Sequence, residues 1–272
     1  EFRRVLFRSL KMSTATRGIS KGSLYSGSAR LIYERHRSMF WQAILIFGLA
    51  IGLLFWLRSR KLDKIEAVTI NWPFISAAIK DHLILSFLSA IIILAVAIPA
   101  GIALTRPRAK KLTPIVLVLA NIGQAFPAVG LLIIAGILFG FGKPIAIFSF
   151  AAFGILPILR NTIVGLQEID PFIVESAIGM GMTPRQALRQ IELPLAVPVI
   201  LAGVRTTLIL TVGIATLGVF VNGGGLGTLI IPGLKLNREV VLLTGGLLTV
   251  IVAFTLDWLA RLAEELLRPR GI

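Results

Sequence analysis

Long apolar segments alternate with short polar ones over most of the chain. A helix needs about 20 apolar residues at 1.5 Å rise per residue to cross a bilayer, and six segments approach or exceed that length. This pattern predicts an all-α integral membrane protein with six transmembrane helices. The predicted spans are residues 40–57, 82–105, 114–139, 144–164, 195–221 and 240–262.

The amino-acid composition agrees with a membrane protein and excludes several other classes. Of the 272 residues, 56% are hydrophobic and only 15% are charged, and no Asp or Glu occurs from residue 82 to residue 167. Carboxylates are costly in hydrocarbon, so such a gap suits successive spans. Cysteine is absent, and the two histidines, His36 and His82, lie far apart. We therefore expect no disulfide, no metal site and no cofactor.

The net charge of +15 bears on membrane topology. Lysine and arginine lie in short stretches between the predicted spans, so we expect contact with a lipid bilayer and no nucleic-acid partner. If the N-terminus is cytoplasmic, the cytoplasmic segments from Met12 onward hold fourteen of these residues and the outer segments hold eight. The positive-inside rule then predicts that both termini are cytoplasmic, although the basic stretch at residues 58–64 argues against it.

A short polar hairpin interrupts the apolar pattern between the fourth and fifth predicted spans. Asp170 followed by Pro171 is typical of a helix N-terminus. Gly181 can adopt the positive φ that ends a helix, and the sequence TPRQ at residues 183–186 predicts a second start with a capping box. Residues 193–194, Leu-Pro, are expected to end this second helix. Because both helices are too short to be stable alone, something else must hold them.

The hairpin carries seven residues at a fixed spacing: Glu175, Ser176, Ala177, Gly181, Ile191, Leu193 and Pro194. This spacing resembles the EAA loop in permease subunits of binding-protein-dependent ABC importers, with Ser176 in place of the usual alanine. In that family the loop forms a coupling helix that docks into a groove on the cytoplasmic ATPase subunit. An amphipathic helix lying on the membrane surface is the alternative interpretation.

The resemblance extends over residues 82–262 and is carried also by the stretches at 124–132, 156–171 and 222–230. It is most specific to the osmoprotectant branch, which moves glycine betaine, choline or carnitine, and methionine permeases are the near rival. It implies a methionine-permease-like fold, two ATPase subunits, a second identical or similar permease subunit and an extracytoplasmic binding protein, all at a bacterial inner membrane.

The resemblance also divides the chain. Residues 82–262 would be the importer transmembrane domain, with the cytoplasmic coupling loop at 166–198 inside it. Residues 40–57 lie outside the region that the resemblance covers, and their apolar length predicts an accessory transmembrane helix. Residues 1–39 and 263–272 are expected to be a basic cytoplasmic segment and a cytoplasmic tail. Residues 1–11 precede Met12 and are either a non-native extension or a native basic leader.

The sequence does not predict an enzyme. No G-x-x-x-x-G-K-[ST] motif occurs, and the stretch GFGKP at residues 140–144 lacks the first glycine and has proline after the lysine. ATP hydrolysis would therefore take place on a partner subunit. A self-contained secondary transporter is the other class considered, and it would need carboxylates inside the spans, where Asp257 is the candidate.

Polar and small residues within the predicted spans are candidates for a translocation path. Asn121 and Gln124 lie near the middle of the third span, just before Pro127, where proline permits a kink. A path and helix–helix hydrogen bonding are equally open interpretations of these two residues. In the fifth span Thr207 and Thr211 belong to a stripe of small residues, for which close packing is favoured over a path or a dimer seam.

Arg205 and Asp257 are ionisable residues within the fifth and sixth spans. An unpaired charge in a span costs about 2.5–3.5 kcal/mol on insertion scales. We therefore expect Asp257 to pair with Arg205, or with Arg261 one helical turn further along. A second small-residue stripe begins at Gly245 and ends at Asp257, and it has the same packing interpretation.

The glycine-rich segment after the fifth span predicts a tight re-entrant turn, because glycine tolerates positive φ. In the family that the chain resembles, this region faces the binding protein or the outer gate. The candidate residues are Gly223, Gly224, Gly225 and Gly227.

Overall fold

The computed structural model describes residues 21–267, and the side chains of residues 37–265. The stretch at 1–11 and the end of the predicted tail lie outside the described residues. The chain divides after residue 45 into two units, and all packing discussed below lies within residues 46–272. Within residues 21–267 every regular element is helical, as the apolar pattern predicts.

Eleven α-helices are described, and they are numbered here in chain order. They are α1 Lys21–Ser59, α2 Lys64–Thr69, α3 Trp72–Thr105, α4 Thr113–Ala125, α5 Ala128–Phe139, α6 Lys143–Gln167, α7 Pro171–Gly179, α8 Pro184–Ala187, α9 Leu193–Ala215, α10 Gly227–Lys235 and α11 Glu239–Leu267.

Five segments of the described chain are long and apolar enough to cross a membrane, and a bent helix pair brings the number to six if it counts as one span. The second of these segments starts ten residues before its predicted beginning. Asn71 caps it by accepting a hydrogen bond from the backbone N–H of Phe74 at 2.9 Å, and Pro73 lies in its first turn. Proline and a side-chain acceptor favour a helix start here.

The third predicted span, residues 114–139, is sharply bent at Pro127, where the sequence permits a kink. It consists of α4 and α5, whose axes meet at 92°. Phe126 and Pro127 between them have extended backbone, with ψ of 140° and 123°. Proline lacks an N–H and disfavours a helical conformation in the residue before it, so the hydrogen-bond ladder stops there.

The prediction that Leu193 and Pro194 end the second hairpin helix is wrong. The chain stays helical from Pro184 to Val221. Residues 188–192 form one π-helical turn, in which the N–H of Leu193 donates to the carbonyl of Leu188. Pro194 directly follows the π turn, where the regular i→i−4 pairing is already interrupted, so its missing N–H is tolerated. The hairpin is therefore continuous with a membrane span.

Helix α6 lies at the centre of the fold, with α3 and α9 both packed along it. Two apolar clusters surround it, one around Leu85 and Phe150 and the other around Ile93 and Ile158. Small residues permit close approach, since a Cβ at Gly203 would lie 2.8 Å from the Asn161 amide nitrogen. The stripe in the fifth span is thus buried against α6, as the packing interpretation expects.

Candidate functional site

Local hydrogen bonds shape the elbow of the hairpin. Asp170 begins α7 by accepting from the backbone N–H of Phe172 at 2.9 Å. At the other end Gly181 has φ of +94°, and the N–H groups of Gly181 and Met182 donate to the carbonyls of Ile178 and Ala177 at 2.9 and 3.2 Å. This pair of bonds is a Schellman motif, and the predicted role of Gly181 in ending the helix is correct.

The second helix of the hairpin begins with the predicted capping box. The backbone N–H of Gln186 donates to the hydroxyl of Thr183 at 3.3 Å, and the side-chain Oε1 of Gln186 accepts from the backbone N–H of Thr183 at 2.8 Å. Pro184 takes the first helical position. The local sequence thus dictates the caps that begin and end these two helices.

The hairpin has a buried inner side and an exposed apolar outer side. Ala177 is 1% exposed and Ala187 is fully buried. On the outer side Phe172 is 71% exposed and Met180 is 76% exposed. Large apolar side chains left outside a fold indicate a protein or membrane contact. Sequence reasoning missed these two residues, although bulky apolar positions in a short polar hairpin were the available signal.

The other predicted hairpin residues differ in exposure. Glu175, Ser176 and Gly181 are exposed, whereas Ile191, Leu193 and Pro194 are half-buried at the junction with α9. Leu188 and Leu193 pack with Leu166, Ala196 and Ile200 in an apolar cluster at this junction. The exposed end of the hairpin is thus the end available to a partner.

An ion pair joins the base of the hairpin to the end of α3. The guanidinium of Arg106 donates to both carboxylate oxygens of Glu192, from Nη2 at 2.5 Å and from Nη1 at 3.1 Å. The pair borders a cleft of about 540 Å³. The cleft is lined by Thr105, Arg106, Lys110, Leu166, Gln167, Ile169, Pro171, Val174, Glu175 and Glu192. Sequence reasoning did not find this pair, because its members are 86 residues apart.

The four path candidates lie in different surroundings. Asn121 is exposed on α4, and its amide donates to the carbonyl of Leu117 at 2.8 Å. The Gln124 amide donates to the carbonyl of Phe153 at 3.3 Å and so joins α4 to α6. Thr207 and Thr211 are fully buried. In this conformation they do not border open space, and close packing accounts for their positions.

The glycine-rich segment forms a compact turn at the end of the fifth span. Gly224 and Gly225 have φ of +82° and +85°, so the predicted use of positive φ is correct. The N–H of Gly223 donates to the carbonyl of Gly218 at 2.8 Å. A Cβ at Gly227 would lie 1.8 Å from the carbonyl oxygen of Thr216, which makes glycine obligatory there.

Residues of α3 support this turn. The Nδ1 of buried His82 accepts from the backbone N–H of Leu226 at 3.4 Å. The carboxylate of neighbouring Asp81 accepts from Lys143 at 2.5 Å, which joins α3 to the first residue of α6. A Cβ at Gly224 would lie 2.6 Å from Asp81 Oδ2. The turn is therefore packed against the N-terminal half of α3 and borders an ion pair.

Comparison with known proteins adds independent information. A family model described as "Binding-protein-dependent transport system inner membrane component" matches residues 97–269. The chain is 39% identical over 192 residues to the choline transport system permease protein OpuBB of Bacillus subtilis (strain 168), which covers 71% of this chain and 88% of the relative. It is 38% identical over 228 residues to the osmoprotectant import permease protein OsmY of Salmonella typhimurium (strain LT2), which covers 84% of this chain and 94% of the relative.

A solved structure shares the fold. An inward-facing form of the MetNI methionine ABC transporter contains a chain that matches with a TM-score of 0.64 and 25% identity, covering 74% of this chain and all of that chain. The predicted all-α, methionine-permease-like membrane fold is thereby confirmed.

Proposed function

This chain belongs to the family of binding-protein-dependent transport system inner membrane components, as a multi-pass permease subunit of an ABC importer, and on this basis we propose that its cargo is a small osmoprotectant such as glycine betaine, choline or carnitine. The observation that carries the proposal is the similarity to the choline and osmoprotectant permeases described above. The methionine transporter shares the fold at lower identity. ATP hydrolysis and cargo capture belong to partner subunits, as in other importers of this kind.

The hairpin is the part of the chain that would bind the ATPase. Its caps begin and end two short helices at the elbow, and its exposed side carries Phe172 and Met180. A groove on the ATPase subunit would cover these apolar side chains, which gives a reason for their exposure. In this arrangement the hairpin and both chain termini are cytoplasmic, in agreement with the distribution of lysine and arginine.

A complete importer would contain two permease subunits, either two copies of this chain or this chain and a similar one, and two ATPase subunits. The exposed amide of Asn121 supports a second subunit. It lies on α4 among exposed Ile115, Val118 and Ile122. A polar side chain facing lipid is costly, so a partner subunit or a water-filled path would better accommodate it. Asn121 and Gln124 would then lie near the path between the two subunits.

We propose a transport cycle that uses these contacts. ATP binding would bring the two ATPase subunits together and move the two hairpins with them. Because residues 184–221 are continuously helical, movement of the hairpin reaches a membrane span directly. The path would then open outward to a loaded binding protein and accept its cargo. The compact glycine turn on the outer side, residues 222–227, would border that opening.

Co-purification of the ATPase tests the assembly. The chain is tagged and expressed with the ATPase and binding protein encoded beside it, and the retained ATPase is measured. Gly181→Pro should lose the ATPase, because proline requires φ near −65° and Gly181 has +94°. Gly140→Pro is the matched control, since Gly140 also has a positive φ, of +99°, and lies outside the hairpin. Failure of the natural chain to retain an ATPase would contradict the proposal.

Uptake into proteoliposomes tests the cargo. The complete complex is reconstituted, and uptake of radiolabelled glycine betaine, choline, carnitine and methionine is compared. Uptake of one or more of the quaternary amines, driven by ATP and requiring the binding protein, is the expected result. Uptake of methionine alone would place the chain with the methionine importers and contradict the proposed cargo.

A further inference from the structure

We propose that the ion pair between Arg106 and Glu192, called the latch here, carries movement of the hairpin to α3. Both residues would be positioning residues of the transport cycle, since neither contacts cargo or ATP. The inference rests on the proposed function, because it assumes that the hairpin binds an ATPase. The latch would transmit hairpin movement to α3, in addition to the direct transmission to α9 through the continuous helix.

The geometry of the latch makes it a directional contact. Two parallel N–H donors of one guanidinium meet two oxygens of one carboxylate, which constrains angle as well as distance. The hydroxyl of Thr105 accepts from Arg106 Nε at 3.2 Å and from Nη2 at 3.1 Å. Thr105, the last residue of α3, therefore orients the guanidinium toward Glu192.

The surroundings of the latch keep it intact. The side chain of Glu192 is 8% exposed and that of Arg106 is 34% exposed, so water competes weakly for the carboxylate. A buried carboxylate that loses its cation is strongly disfavoured. Movement of Glu192 should therefore draw Arg106 along instead of separating the pair.

The remaining contacts at the base of the hairpin are apolar. Leu188 packs in the cluster of Leu166, Ala196 and Ile200, to which Ile102 of α3 also belongs. Apolar side chains can slide over one another with little change in buried area, because the hydrophobic effect is non-directional. The latch is thus the directional link between the hairpin base and α3.

Both sides of the latch adjoin segments that can bend. Glu192 is the last residue of the π turn, and such turns occur frequently at functional positions. On the other side Pro99 interrupts the hydrogen bonding of α3, so the inner end of that helix can bend. The cleft of about 540 Å³ beside the latch leaves room for the hairpin to approach the turn after α3.

The alternative is a static brace that only stabilises the fold, and the ratio of cargo transported to ATP hydrolysed separates the two roles. The complex with its ATPase and binding protein is reconstituted in proteoliposomes for the natural chain, Glu192→Gln and Glu192→Asp. We expect each variant to retain the ATPase and hydrolyse ATP, while cargo per ATP falls by about tenfold in Glu192→Gln. Glu192→Asp keeps the charge but shortens the side chain, so it should fold well and still transport less cargo per ATP.

Two further variants complete the test. The exchange Arg106→Glu with Glu192→Arg should restore much of the ratio, because it rebuilds a pair between the same positions. Arg108→Gln removes an exposed charge from the same turn and should leave the ratio unchanged. If Glu192→Asp and Glu192→Gln both transported as much cargo per ATP as the natural chain, the latch proposal would fail while the proposed function stood. A loss of transport fully explained by reduced assembly would have the same consequence. If the natural chain neither retained an ATPase nor imported any cargo, the proposed function would fail as well.

Discussion

Arg205 of α9 and Asp257 of α11 form an ion pair across the helix bundle, 52 residues apart in the chain. Arg205 Nη2 donates to Asp257 Oδ2 at 3.3 Å, and Arg261 Nε donates to the same oxygen at 3.1 Å. One buried carboxylate therefore serves two arginines. Sequence analysis expected one pairing or the other, and the structure contains both, which joins the middle of α9 to the C-terminal part of α11.

Replacing Asp257 with Asn should be strongly destabilising. The change leaves two arginines without their shared carboxylate, and breaking a buried pair costs about 3–5 kcal/mol. Arg261→Gln removes only the pairing within α11 and should cost less than about 1 kcal/mol. Thermal unfolding of the three proteins in detergent measures the difference. An Asp257→Asn protein as stable as the natural one would contradict this role.

The neighbouring glycines of α11 should respond oppositely to alanine. A Cβ at Gly245 would lie 2.8 Å from Leu229 Cβ and 3.1 Å from the Ile230 backbone nitrogen of α10. Gly245→Ala should therefore push the two helices apart and cost about 1–3 kcal/mol. At Gly246 a Cβ meets nothing within 4 Å, so Gly246→Ala should be neutral or gain up to about 1 kcal/mol. Equal unfolding temperatures for the two variants would refute close packing at Gly245.

Gly224→Ala should disturb the turn through two effects. Its φ of +82° is unfavourable for alanine by about 1–2 kcal/mol. The added Cβ would also displace the Asp81 carboxylate from Lys143, at a further cost of roughly 1 kcal/mol. Gly140→Ala is the control, because Gly140 has φ of +99° with open space around it. Unfolding measurements should show a larger loss for Gly224→Ala, and the opposite order would count against the turn geometry.

Asp63, which caps the N-terminus of α2, should confer an acid-sensitive contribution to stability. A hydrogen bond from the backbone N–H of Glu66, with further help from Ile65 N–H and from Arg238, holds the pKa of Asp63 below its ordinary value of 3.8. A lowered pKa in the folded state gives stability that is present above the unfolded-state pKa. This stability is lost as the pH falls through the folded-state pKa.

Asp63→Asn tests this acid sensitivity. Asparagine can still accept the capping hydrogen bonds, but it does not titrate and cannot pair with Arg238. Between about pH 5 and pH 3, the unfolding temperature in detergent should fall more steeply for the natural chain than for Asp63→Asn. Asp63→Ala, which loses the cap as well, should be the least stable of the three at neutral pH. Parallel pH profiles for the natural chain and Asp63→Asn would contradict the prediction.

Local features of the candidate site could be predicted from the sequence, whereas its long-range contacts could not. The caps at Asp170, Gly181 and Thr183 involve residues at most five positions apart, so residue type and spacing are sufficient. The pairing of Arg106 with Glu192 depends on where α3 ends relative to the π turn. No periodic pattern encodes that distance, and the pair became visible only in three dimensions.

The apolar segments by themselves determined that the chain crosses a membrane with helices, because hydrocarbon offers no partner for an unpaired backbone group. The short-range residue pattern determined the capped hairpin and the glycine turn, because their hydrogen bonds join residues that are close in the chain. Tertiary structure decided that α4 and α5 meet at 92° and that helix continues through Pro194. It also decided which charges pair. A proline can bend a helix or lie within it, and an arginine can reach several carboxylates, so the packing of the helices against one another selects the outcome.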